Sequence, residues 1–234
     1  MKKKKIVVLT GAGISAESGI ATFRGSDGLW EGHDIMEVAS PEGWHKNKEL
    51  VLDFYNKRRR QGINAVPNNG HTTLVELEKM YDVSIITQNV DHLHELAGSS
   101  HVTHLHGKLF ESRSTLDPQL IYPIDGTELN IGDLCEKGSQ LRPNIVWFGE
   151  DVPMMDKAVE ITEEADYFVI IGTSLQVYPA AGLIHYTKSN CKLFLIDPHI
   201  PSGINKNEIT VIETSATEGV PQLMDYFMKI DSKE

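Results

Sequence analysis

The stretch Gly11-Ala-Gly-Ile-Ser-Ala-Glu-Ser-Gly-Ile20 follows a short apolar run, Ile6-Val-Val-Leu-Thr10. That run reads as a buried parallel strand. Gly11 and Gly13 let the backbone turn sharply and approach a phosphate, and Ser15 is placed to cap the helix that begins there. Helix N-terminal amides favour anions, so the turn is a candidate pyrophosphate cradle. The pattern is G-x-G-x-x-A, a dinucleotide fingerprint with alanine last. The usual acidic residue about 20 positions on is missing. A loop with Phe23, Arg24, Asp27, Gly28 and Trp30 stands there instead. A glycine-rich turn with no ligand is the competing reading.

Further apolar runs at 83–87, 102–105, 145–148, 167–172 and 193–197 bring the expected strands to six, with helical patterns at 49–60, 70–81, 155–165 and 180–189 between several of them. Such alternation predicts an α/β fold with a parallel sheet. An amphipathic helix over 219–230 follows, with Val220, Leu223, Met224 and Phe227 on one face. Residues 31–70 and 108–142 break the rhythm and read as insertions.

The formal net charge of −11 argues against binding a phosphate backbone, so no specific nucleic-acid partner is expected. Two cysteines, Cys135 and Cys191, suit a reducing compartment, and no apolar stretch is long enough to span a membrane. The expectation is a cytoplasmic, monomeric protein that engages no membrane.

Thr87-Gln-Asn-Val-Asp91 leaves a strand at the edge where open α/β sheets bind ligands, so Gln88, Asn89 and Asp91 are candidates for holding a ribose or a carboxamide. Capping at a strand exit explains them equally well. Five histidines follow: His92, His94, His101, His104 and His106. With Asp91 they suggest either a hydrolytic metal site or a general base, and His106, at a strand end before Gly107, is favoured as the base. Gly172-Thr-Ser174 forms a second strand-to-loop turn, and Asp197 ends a strand with a carboxylate suited to a ribose hydroxyl.

Gly11-Ala-Gly-Ile-Ser15, Thr22-Phe-Arg24, Gly28-Leu-Trp30, Thr87-Gln-Asn-Val-Asp91, His106-Gly107, Val146-Trp-Phe-Gly-Glu150 and Gly172-Thr-Ser174 occur in the order of the sirtuins, which the chain resembles from about Ile6 to Ile230. Sirtuins are NAD-dependent protein lysine deacylases. The resemblance implies one catalytic domain over 1–234. Its Rossmann-like part would span about 1–30, 71–107 and 143–234, and its small domain the insertions at about 31–70 and 108–142. It places Gly11, Ala12, Gly13, Ser15, Phe23, Arg24, Trp30, Gln88, Asn89, Asp91, Gly172, Thr173, Ser174, Asp197 and Ala216 at NAD-binding positions. His106 would be the catalytic base, and Val146, Phe148 and Gly149 would pair with an acyl-lysine peptide. Tyr55 and Arg58, three apart on a helix, match the pair that marks succinyl- and malonyl-lysine preference. A solvated basic face over Arg58, Arg59 and Arg60 is the alternative.

The chain departs from the family in its small domain. Two C-x-x-C pairs usually hold zinc there; here the places read Ser112-Arg-Ser-Thr115 and Cys135-Glu-Lys-Gly138. One cysteine cannot build a tetrahedral thiolate site. No zinc is expected, and Leu116, Leu120, Ile121, Tyr122, Leu129 and Leu134 are expected to hold the module instead. Asp197 also stands where asparagine is common. A metallohydrolase, a non-catalytic NAD or ADP-ribose sensor and an ADP-ribosyltransferase are the rival functions.

Overall fold

The computed structural model describes residues 3–21, 29–30, 32–201 and 204–231. Its strands are β1 (Lys5–Thr10), β2 (Leu29–Trp30), β3 (His33–Asp34), β4 (Asp82–Thr87), β5 (Val102–His104), β6 (Gly107–Ser114), β7 (Ile121–Pro123), β8 (Leu141–Ile145), β9 (Tyr167–Ile171), β10 (Lys192–Ile196) and β11 (Ile209–Ile212). The α-helices are α1 (Ile35–Val38), α2 (Pro41–Lys46), α3 (Lys48–Gly62), α4 (Asn69–Leu77), α5 (Leu93–Ala97), α6 (Met155–Glu163) and α7 (Ala216–Asp231). The helix expected after the first glycine turn and the helical pattern at 180–189 are 3-10 helices, over Ala12–Ser18 and Ala180–Tyr186.

Six strands form a parallel sheet in the order β11-β10-β9-β1-β4-β5, as the α/β reading requires. The near-continuous apolar runs follow from burial on both faces. On one face Ile6, Val8, Val83, Ile85, Val169 and Ile171 pack with Leu74 and Leu77 of α4 and Val220, Leu223 and Phe227 of α7. On the other, Val7, Leu9, Ile86, Phe168 and Ile170 meet Ala158 of α6 and Leu183.

The chain adds β4 and β5 on one side of β1, then returns to add β9, β10 and β11 on the other. Strand order therefore reverses between β1 and β9, and the crevice beyond their carboxyl ends is where such sheets take ligands. The turns after these two strands lie backbone on backbone. Gly11 N–H donates to Ile171 O (3.0 Å) and Gly13 N–H to Gly172 O (2.8 Å). A Cβ on Gly13 would sit 2.5 Å from Gly172 Cα, and Gly172 has a φ of +62°. Glycine is demanded at both positions.

The run 145–148 is not a strand of this sheet. β8 stops at Ile145 and pairs antiparallel with β6, which also pairs with β7. The sixth parallel strand is β11, whose half-buried edge position made it less conspicuous in sequence. A third core lies between this small sheet and helices α1–α3, with Val38, Trp44, Phe54, Tyr55, Leu109 and Trp147 at its centre. The two irregular segments of the sequence thus share one hydrophobic interior.

The outer part of the small sheet is held differently from expectation. Leu129 is buried, but Leu116, Ile121 and Leu134 are 66%, 49% and 55% exposed. Polar links do the work there: Thr115 Oγ1 donates to Gln140 O (2.8 Å), Lys137 pairs with Asp117 (2.8 Å), and Tyr122 donates to Glu136. Nor do the three arginines of α3 form a solvated face. Arg60 is exposed beside Glu128, but Arg58 is largely buried and Arg59 fully so. Arg59 donates to Thr127 O (2.8 Å), Leu109 O (3.1 Å) and Asn56 Oδ1, tying α3 to the small sheet. Arg59→Ala strands these buried acceptors and is expected to cost about 3 kcal/mol in urea unfolding. A loss below about 1 kcal/mol would show that the tie is unimportant.

Candidate active site

A cavity of about 690 Å³ opens at the switch point and runs across to the third core. One wall is the paired glycine turns with Ser15, Thr173, Ser174 and Asp197; the other carries Trp30, Tyr55, Arg58 and the segment 146–150. Gln88, Asn89, Asp91 and His106 lie along it. Phe23 and Arg24 lie outside the described residues. Ala216 does not line the cavity: as the first residue of α7 it packs in the core, and its neighbour Ser215 takes the wall position.

The residues after β4 cross-link the floor. Gln88 N–H bonds to Thr10 O (2.9 Å), and its side-chain amide donates to Thr173 Oγ1 (3.1 Å). Asn89 Nδ2 donates to Gly11 O (3.0 Å), and Asn89 N–H to Thr87 Oγ1 (3.0 Å). Ser15 is not a helix cap. Gly11 occupies that position, and Ser15 Oγ instead donates to Asp91 Oδ2 (3.0 Å), whose other oxygen accepts from Leu93 N–H (3.1 Å). A partner 76 residues away outcompetes local capping because both side chains are buried, where an unsatisfied carboxylate is costly.

His106 lies two residues beyond the end of β5, not within it. Its Nδ1 is 2.9 Å from Gln88 O. A carbonyl oxygen only accepts, so Nδ1 carries the proton and Nε2 keeps its lone pair. Burial pushes the imidazole pKa below its ordinary value of 6.5, opposed in part by the Gln88 carbonyl. At pH 7 the ring is therefore neutral, with a basic nitrogen at the cavity.

The other histidines go elsewhere. His104 bridges Asn89 O (2.9 Å) and Glu95 Oε1 (2.7 Å). His94 lies 3.1 Å from Thr10 Oγ1, and burial takes its pKa down to about 3. His92 packs edge-on against Phe110, and His101 is exposed. Among the described residues no three His, Cys, Asp or Glu side chains gather to hold a metal.

On the far wall, Arg58 lies 4.4 Å from the centre of the Trp30 ring, and Tyr55 is fully buried, its phenol pushed up to about 12 by burial. Segment 146–150 is pinned through its own N–H groups: Val146 to His106 O (3.0 Å), Trp147 to Glu150 Oε2 (2.8 Å) and Phe148 to Ala39 O (3.0 Å). Arg142 (2.6 Å) and Arg113 (3.1 Å) clamp the Glu150 carboxylate. Glu150 was visible in the motif, but its arginine partners were not, because nothing in their spacing announces a shared carboxylate.

Comparison with known proteins agrees with this architecture. A profile of the Sir2 family matches residues 11–179. An NAD-dependent protein deacylase of Helicobacter pylori is 53% identical over 229 residues, covering 98% of this chain and 100% of that protein. A solved Sir2 homologue in complex with ADP ribose is 38% identical and superposes over 99% of this chain and 95% of its own, with a TM-score of 0.88. A Sir2 protein solved with a deacetylated p53 peptide and 3'-O-acetyl ADP ribose is 28% identical, with a TM-score of 0.80 over 96% of this chain and 94% of its own. With a family profile over most of its length and a full-length relative at this identity, the chain belongs to the Sir2 family.

Proposed function

We propose that this protein removes acyl groups from protein lysines at the expense of NAD, releasing nicotinamide and O-acyl-ADP-ribose, and that it acts on succinyl- and malonyl-lysine as well as acetyl-lysine. The observation that carries the reading is the convergence on one cavity of a glycine-turn wall, a neutral histidine base and a Tyr–Arg pair. The donor set suits NAD. Bare backbone at Gly11–Gly13 admits a pyrophosphate, Asp197 offers a buried carboxylate to ribose hydroxyls, and Gln88, Asn89 and Asp91 offer amide and acid groups to the nicotinamide end. When bound, NAD would supply an electrophilic ribose carbon and a nicotinamide leaving group.

The residues here do the positioning and the proton transfer. The acyl oxygen is a weak nucleophile, so the cavity must hold it in line. His106 Nε2 would take a proton from a ribose hydroxyl, whose oxygen would then bond to the acyl carbon. The acyl C–N bond would break with release of the lysine amine, and one water would be consumed to leave the acyl group as an ester on ADP-ribose. Phe23 and Arg24 are assigned to this end of the cavity by family resemblance alone. An incoming peptide adds as a strand beside 146–149. It must do so without the N–H groups of Val146, Trp147 and Phe148, which are already bonded. Arg58 and the Tyr55 phenol meet the carboxylate of a dicarboxylic acyl chain.

The small domain is assigned to the two insertions, and we take it to fold without zinc, since Ser112, Thr115 and Gly138 offer no thiolates beside Cys135. A cytoplasmic monomer acting on protein substrates is the simplest setting for this activity.

Four outcomes test these assignments. His106→Ala should lower deacylation by at least about a hundredfold while NAD still binds in calorimetry. In the wild type the acidic limb of kcat/KM, which reports the free enzyme, should lie below the ordinary imidazole range, because protonation of a ring with a lowered pKa removes the base only at lower pH. Tyr55→Phe with Arg58→Met should cut the ratio of desuccinylation to deacetylation by about a hundredfold; an unchanged ratio would remove the acyl assignment. Elemental analysis of purified protein should find zinc far below one per chain, and chelator should leave activity intact; stoichiometric zinc would refute the metal-free module.

A further inference from the structure

The Tyr55 phenol has one hydrogen-bond partner among the described residues, the Trp147 indole N–H at 3.1 Å. An indole nitrogen donates and cannot accept. The phenol oxygen must therefore be the acceptor, and its single hydrogen is left for another group. Tyr55 lines the cavity beside Arg58. Burial holds the phenol pKa near 12, so that hydrogen stays in place throughout the physiological range.

Trp147 is itself fixed from three sides. The Arg142 guanidinium carbon lies 3.3 Å from the centre of its ring, the Trp44 ring lies 5.8 Å away, and its backbone N–H is held by Glu150. The indole is 2% exposed. Its N–H direction is thus set before any substrate arrives.

We infer that Trp147 is a positioning residue for acyl selectivity: by donating to the Tyr55 oxygen, it commits the phenol hydrogen to the carboxylate of an acidic acyl chain. The inference deepens the reading of Tyr55 and Arg58 as a carboxylate grip and rests on it. Without the indole N–H, the phenol is free to rotate and to offer a lone pair, which repels a carboxylate. Selectivity then depends on the direction of the Trp147 N–H, held by an arginine–glutamate pair at the base of the small sheet.

The test is a double-mutant cycle on succinyl- and acetyl-lysine versions of one peptide, comparing wild type, Trp147→Phe, Tyr55→Phe and the double variant. Trp147→Phe should raise KM for the succinyl peptide with little change in kcat, and lower the succinyl-to-acetyl ratio of kcat/KM by about fivefold. Tyr55→Phe should lower that ratio at least as much, and the double variant no further, since both act through one hydrogen bond. If Trp147→Phe folds poorly, 3-benzothienylalanine at position 147 keeps the bicyclic shape without the N–H and should give the same fall. Equal losses on both peptides, or additive effects in the double variant, overturn the inference and leave the Tyr55 reading standing. A ratio unchanged in Tyr55→Phe overturns both.

Discussion

The close approach of the turns after β1 and β9 is the contact on which the rest of the site depends. Gly13 and Gly172 sit so near each other that a methyl group on either would strike backbone. That contact closes the floor of the crevice where strand order reverses, and it leaves bare peptide groups facing the cavity. The polar residues that leave β4 are tied to these turns: Asn89 bonds to Gly11 O, Gln88 to Thr173, and Asp91 accepts from Ser15. A parallel sheet supplies these anchors because its loops all leave from one edge.

From that floor the chemistry is set by hydrogen-bond direction rather than by unusual residues. His106 is an ordinary imidazole made into a one-sided base by a carbonyl that can only accept. Tyr55 is an ordinary phenol given a direction by an indole that can only donate. Both are partly or wholly withdrawn from water, where such preferences are strong. The cavity thus combines a wall of backbone turns at the sheet edge with a wall built on the third core. His106 stands between them, its carbonyl oxygen bonded to Val146 N–H.

Much of this was legible in the sequence. The apolar runs gave five of the six parallel strands, and the turn residues Gly11, Gly13, Gly172 and Asp197 lie where strand exits would put them. The misreadings have a common origin. The run 145–148 is as apolar as a sheet strand, yet Trp147 faces Arg142 and Tyr55 in a separate core; hydrophobicity does not say which interior is filled. Ser15 was read by its local role because Asp91 is distant in the chain. The solvated face offered as the alternative for Arg58 and Arg59 rests on charge usually being exposed, whereas Arg58 lies over the Trp30 ring and backbone carbonyls accept from Arg59 inside. Leu116, Ile121 and Leu134 were given a core role that Thr115, Lys137 and Asp117 perform by polar links.

The account stands on the coupling of acyl removal to cleavage of NAD. The most direct measurement is the stoichiometry of a single reaction with NAD and a succinyl-lysine peptide, following nicotinamide by chromatography and the peptide by mass. One nicotinamide for each succinyl group lost, with the acyl group recovered on ADP-ribose and no loss when NAD is omitted, is the result expected. Acyl loss without nicotinamide release, or ADP-ribose retained on protein while the peptide stays acylated, would contradict it.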